Sequence, residues 1–258
     1  MNTEIEIPLK LPPLVQQILN RYLCLELGGK CVPCPYWINQ SAINPFLWFN
    51  PAFSGKGTPA EITAATIKLA NHHHLDLNSS TIGSILRFIQ RHNLGVDCSG
   101  FAYQLLNAFD LTASGTGLAS RLTRTPTWHP FGKFRDIRFK INAAYLTGLQ
   151  NAFPISEFKD IRPGDMIRCK GDNGTGKHIM IILQSTPKHL IYAHSSHLFT
   201  KIKGVHLQQI TITHPNLTLD HQQWHEPTIT GESYGFLKIH PSEGDGLFRL
   251  KIWNYNVT

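Results

Sequence analysis

The chain has 258 residues, enough to bury a full hydrophobic core, and its 41% hydrophobic and 16% charged content sets it apart from disordered chains. No run is long and apolar enough to span a bilayer, so no membrane span is expected. The net charge of +7 and a pI near 9.2 favour anionic partners, but the basic residues are dispersed and accompany no recognised nucleic-acid module, so a nucleic-acid partner is not expected.

The first residues, Met1 to Glu6, are acidic and lack a basic segment ahead of an apolar one, so no secretory signal peptide is expected. Five cysteines scattered along the chain do not look like a disulfide framework. A cytoplasmic, reducing compartment follows by default, with export by a dedicated route as the alternative. Pro12 to Leu23 has Leu14, Val15, Ile18, Leu19 and Tyr22 at helical spacing. Cys31-Val32-Pro33-Cys34 is a CxxC with no second pair at zinc-site spacing and no strand–helix context for redox chemistry, and it reads as two ordinary thiols beside Tyr36. Thr58-Pro59-Ala60-Glu61 is a capping box opening a helix to about Asn71, with His72-His73-His74 at its end. Ser80 is the expected cap of a further helix carrying Ile82, Ile85, Leu86 and Ile89.

Gly95-Val96-Asp97-Cys98-Ser99-Gly100-Phe101 comes next. Phe101, Leu105 and Phe109 recur every four residues, and Asp97 is a good N-cap, so Cys98 falls in the first turn of a helix. There the unpaired N–H groups and the dipole favour a thiolate and can hold an oxyanion. A buried structural cysteine is the commoner role on an apolar helix; Cys98 is set apart by sitting at the helix mouth, off the apolar stripe. Ser99 and Gly100 are small enough for close approach of a substrate.

The connection from Leu111 to Lys159 is long, and its mixture of Trp128, His129, Phe131, Phe134, Arg135, Arg138 and Phe139 suggests a flap or a substrate-shaping insertion. The turn Asp160-Ile161-Arg162-Pro163-Gly164-Asp165 precedes a strand from Met166 to Cys169. A loop rich in Gly and Asn then leads into His178 at the start of an apolar strand, and a second short strand from His189 to Ala193 ends in His194-Ser195-Ser196. If these strands are antiparallel neighbours, His194 lands near His178 and orients it, giving a Cys-His-polar triad. Ser195, Ser196 and His197 compete for that role. Later strands are expected at Gln208–Thr213, Phe236–Ile239 and Phe248–Trp253, and Gln223-Trp224-His225-Glu226 brings Trp224 near the site or into a local cluster.

Asp-Cys-Ser-Gly-Phe, Arg-Pro-Gly-Asp-Met-Ile, His-Ile-Met-Ile-Ile-Leu and Tyr-Ala-His-Ser, in this order between Gly95 and Ser196, resemble the NlpC family of papain-like cysteine peptidases. The resemblance implies an α+β fold with the cysteine at a helix N-terminus packed on a small antiparallel sheet. It implies Cys98 as nucleophile, His178 as base and acid, and His194 as orienting residue, without metal or cofactor. Tyr36, with Ser99, is the weaker candidate for the oxyanion or substrate side. On this reading 1–94 is a helical region of the same globule, and 95–258 is the catalytic core with an insertion at about 111–159. The implied substrate is a bacterial cell-wall peptide. The alternatives are a non-wall amide or acyl substrate handled by the same triad, or an inactive binding module.

Overall fold

A computed structural model describes residues 9–38, 50–123, 136–171, 176–198 and 200–253. The acidic N-terminus and the aromatic and basic residues Trp128, His129, Phe131, Phe134 and Arg135 lie outside the described residues.

The architecture is α+β. Six α-helices, α1 (Pro13–Leu23), α2 (Pro59–His72), α3 (Ile82–Arg91), α4 (Cys98–Ser114), α5 (Ala143–Thr147) and α6 (Tyr234–Lys238), accompany two antiparallel sheets among the described residues. A small hairpin pairs β1 (Leu25–Leu27) with β2 (Lys30–Val32). The main sheet contains β3 (Ala152–Ile155), β4 (Met166–Lys170), β5 (Lys177–Ser185), β6 (His189–Ser196), β7 (Gly204–Thr211), β8 (Gln223–Trp224) and β9 (Gly246–Leu250), in the spatial order β3-β9-β4-β5-β6-β7-β8.

Local chemistry explains most of these boundaries. The capping box on α2 forms in full: the Thr58 hydroxyl accepts from the Glu61 amide, and the Glu61 carboxylate accepts from the Thr58 amide at 2.7 Å. Thr81, one residue beyond the expected Ser80, caps α3, because its hydroxyl reaches the Ser84 amide. Phe236 to Ile239 is not a strand. Tyr234–Lys238 makes a short helix, with Leu237 and Ile239 amides donating back to Ser233 and Gly235 carbonyls. The expected strand from Phe248 to Trp253 stops at Leu250 and turns into a 3₁₀ segment.

Helix α4 is buried continuously from Ser99 to Leu106, as a helix at the centre of a globule must be, and it lies across β5 and β6. One hydrophobic core runs from Val15 and Leu19 of α1 through Phe101 and Leu105 of α4 to Ile179, Ile181 and Ala193 of the sheet, so it draws on residues both before and after Gly95. A second core, with Met180, Ile182, Tyr192 and Trp224, covers the sheet's other face. Within 111–159 the chain completes α4, then supplies α5 and the edge strand β3, which pairs with β9.

The cysteines correct the sequence reading. Cys24 and Cys31 form a disulfide across the β1–β2 hairpin, whose turn is made by Gly28 and Gly29 in left-handed conformation. Cys31 is therefore not an ordinary thiol. Cys34 is free but fully buried, behind the cleft and not lining it. Protein unfolded without reductant should show three titratable thiols, Cys34, Cys98 and Cys169, by Ellman assay. Reduction should lower stability by about 2–3 kcal/mol, the chain-entropy value for so short a loop; five thiols would remove the cross-link.

Candidate active site

The position of Cys98 is built from the backbone of the residue two before it. Val96 donates its amide to the Pro35 carbonyl at 3.1 Å, and its own carbonyl accepts from the Trp37 amide at 3.3 Å and the Ser195 hydroxyl at 2.7 Å. Bridges join Val96 to Tyr36 in parallel and to Lys56 in antiparallel fashion. Tyr36, far upstream in sequence, is thereby carried to the mouth of α4.

Asp97 then caps the helix, its Oδ1 accepting from the Gly100 amide at 2.5 Å. The same carboxylate is held by the Lys56 ammonium, 2.9 Å from Oδ1 and 2.8 Å from Oδ2. Lys56 is 1% exposed, and its remaining donors go to the Ser99 hydroxyl at 2.5 Å and the Ile141 carbonyl at 3.0 Å. A buried ammonium with every proton placed is the condition under which burial is tolerated.

This cluster revises the expectation for Ser99. Its hydroxyl donates to Asp97 Oδ1 at 3.0 Å and accepts from Lys56, so it points into the protein and does not line the cleft. Gly100 is small for a related reason. A Cβ there would stand 2.2 Å from the Gly55 carbonyl oxygen, so the residue permits close approach of the Gly55–Lys56 loop, and substrate has no part in it.

Cys98, a half-buried cysteine outside any disulfide, opens α4 on a cleft of about 810 Å³. The cleft is also lined by Tyr36, Trp37, His178, His197 and Lys203. Tyr36 stacks on His197 with rings parallel to within 2° and centroids 5.4 Å apart. His197 is thus a cleft wall, and Ser195 is committed to Val96. A larger hollow of about 940 Å³ beside β3 and β9 holds neither Cys98 nor any of these histidines.

His178 stands at the start of β5, and β6 runs antiparallel beside it with Ile181 opposite Ala193. That register places His194 diagonally across from His178. The His178 Nε2 lies 2.8 Å from His194 Nδ1, with the rings edge to face at 79°. Cys98, His178 and Tyr36 therefore face one cleft, with His194 behind His178 at 0% exposure.

Two further residues complete the cluster. His206 on β7 sits directly opposite His194, and Glu226 follows β8. Glu226 Oε2 lies 3.1 Å from His194 Nε2 and accepts from the Tyr192 hydroxyl at 2.8 Å; its Oε1 lies 2.8 Å from His206 Nε2. His206 Nδ1 faces the Gly204 carbonyl at 3.0 Å. The segment Gln223–Glu226 does reach the site, through Glu226; Trp224 itself packs on Tyr192 and Tyr234 in the second core. Burial alone would raise the Glu226 pKa, but the imidazoles of His194 and His206 outweigh it and hold the carboxyl below its ordinary range. Among the described residues this trio is also the group whose ligand atoms, all within 4.8 Å, suit a metal ion.

Comparison with family models, with curated proteins and with solved structures finds no match to this chain. The geometry is the argument for function.

Removing the Lys56 ammonium leaves Asp97 buried without its cation. Lys56→Met should lower stability by about 3–5 kcal/mol in urea unfolding; a loss below 1 kcal/mol would show the pair to be dispensable. Because folding lowers the Glu226 pKa, its stabilising contribution is complete above the ordinary value of 4.5 and is lost as pH falls below it. The decline of melting temperature below pH 4.5 should accordingly be shallower in Glu226→Gln than in the parent.

Proposed function

We propose that the protein is a cysteine hydrolase with a papain-like, NlpC-type arrangement, cleaving an amide bond through a thioester acyl-enzyme. The observation that carries this reading is that a cysteine at the first position of a helix shares one cleft with a histidine whose Nε2 is engaged by a second, buried histidine. Nucleophile, base and orienting group are the three parts such chemistry requires.

In this mechanism the Cys98 proton passes to His178 Nδ1, the ring nitrogen opposite the one held by His194. The thiolate adds to the substrate carbonyl. The oxyanion accepts hydrogen bonds from main-chain N–H groups at the start of α4, with the Tyr36 hydroxyl on the facing wall. Collapse of the tetrahedral adduct breaks the C–N bond, and His178 gives its proton to the departing amine. His178 then takes a proton from water as the hydroxide adds to the thioester, and the acid and the Cys98 thiol are released.

The substrate class comes from the resemblance in sequence: a bacterial cell-wall peptide. The cleft supports it in kind, since Lys203 and His197 beside Tyr36 and Trp37 suit a peptide carrying carboxylates on a short aliphatic frame. The Cys24–Cys31 disulfide supports an oxidising setting such as a cell envelope, in place of the reducing one suggested by the cysteine count.

The test is mass spectrometry of purified peptidoglycan fragments incubated with the parent protein and with Cys98→Ala. The parent should release products whose masses name the bond, and the variant should release none, a loss of at least about 10³-fold, as expected for removing the nucleophile. Fragments unchanged by the parent, with Cys98 still labelled by an electrophilic amide probe at neutral pH, would move the substrate to a non-wall amide or acyl compound. No labelling and no cleavage would favour a binding module.

A further inference from the structure

We propose that Glu226 is a positioning residue that fixes the tautomer of His194 and, through it, that of His178. The inference rests on the Cys98–His178 reading above and adds the group that makes His178 a base on the correct nitrogen.

The cluster is dry, so each of its ring protons must sit on a nitrogen that faces an acceptor. A neutral imidazole has one N–H and one lone pair, and which nitrogen carries the proton is set by the partner the other one meets. His194 Nε2 faces a carboxylate oxygen that can only accept, so Nε2 carries the proton and Nδ1 presents the lone pair. The nitrogen 2.8 Å from that lone pair, His178 Nε2, must then be the donor. In neutral His178 this leaves Nδ1 as the lone-pair nitrogen, the one that the thiol of Cys98 must protonate. With the opposite tautomer at His194, its Nδ1–H would donate to His178 Nε2 and put the His178 proton on Nδ1, where it blocks the transfer.

Glu226 is the acceptor that meets His194 Nε2 directly. Without it, the tautomer of His194 is set at second hand, by the Gly204 carbonyl acting through His206 across the 3.0 Å gap between the two Nε2 atoms. With it, the His194 Nε2–H and the Tyr192 hydroxyl both go to Oε2, and His206 Nε2 lies against Oε1. His206 is anchored from behind by the Gly204 carbonyl, and both residues are 5% exposed or less, so no water competes.

Two substitutions separate tautomer control from mere support. In Glu226→Leu the direct acceptor is gone, His194 is held through His206 alone, and it should populate both tautomers. Alkylation of Cys98 by iodoacetamide at neutral pH should slow by roughly 10- to 100-fold, since a mixture keeps some of the reactive form. In Glu226→Gln the amide oxygen can serve His194 and Tyr192 while the amide N–H₂ serves a neutral His206. That variant should keep the tautomers and most of the alkylation rate despite losing the charge.

The ring tautomers are read directly by ¹⁵N NMR of histidine-labelled protein, and this reading on the parent chain stands even if Glu226→Leu does not fold. Nε2–H at both His194 and His178 is the expected result; Nδ1–H or a doubly protonated ring at His194 in the parent overturns the proposal. So does unchanged alkylation in folded Glu226→Leu when the parent reacts fast. Retention of one zinc per chain at neutral pH, with fast alkylation appearing only after chelation, would put an ion where the proposal needs protons and also overturns it. Slow alkylation of the parent, with the expected tautomers, leaves the Glu226 relay in place and removes the nucleophile reading instead.

Discussion

Val96 is where the molecule is fastened. Its backbone amide and carbonyl, both buried, are claimed by the Pro35–Trp37 segment and by Ser195 of β6, while the Lys56 loop bridges it from another side. Buried main-chain groups must be paired, and here the pairing draws three distant stretches of chain to the residue preceding the helix cap. The cleft inherits its walls from this: Tyr36 from one partner, the start of α4 from Val96 itself, and β6 with His194 from another. The Lys56–Asp97 pair then fixes the angle at which α4 leaves the junction. A change at Val96 that altered its backbone would be felt at the cap, the aromatic wall and the histidine strand together.

What could be read from the sequence was whatever is encoded locally. Asp97 before Cys98, an apolar residue every fourth position after it, and a histidine opening an apolar strand are signals carried within a dozen residues, and each element forms where they point. The pairing of His178 with His194 was accessible because two short strands joined by a tight turn have few registers open to them. Tyr36 was nearly lost, because its approach to Cys98 depends on a bridge between segments about sixty residues apart. Glu226 and Lys56 left no local mark. A glutamate after a short strand and a lysine between two glycines look like solvated charges until the fold buries them. The hairpin disulfide was hidden by the CxxC beside it, which drew attention to Cys31 and Cys34 when the bonded partner was Cys24. Phe236 misled because β-prone residues in a short stretch yield to backbone bonds that close a helical turn.

The site joins two kinds of polar interior. Around Asp97 the charges are opposite and adjacent, and the ammonium spends its protons on three acceptors. Around Glu226 one anion serves two imidazoles and a phenol. Both lie where water is excluded, so an interaction that would be weak at the surface acts at close to full strength, and an unmade one is correspondingly costly. One cluster holds the helix that bears Cys98, and the other holds the strands that bear His194 and His206.

The order of strands in the main sheet has a consequence for how the protein is made. β3 and β4 have no direct ladder in the sheet order; β9 lies between them, its Phe248 opposite both Pro154 and Met166. Among the described strands β9 is the last to be synthesised, and its Arg249 grips Asp165 through two 2.7 Å bonds in the turn ahead of β4. Until it arrives, β3 has no partner strand and the inner edge of β4 is open. Such long-range pairings are slow to form, so during synthesis β4 waits with one edge exposed, and that edge is where a nascent chain of this protein would be most in need of a chaperone.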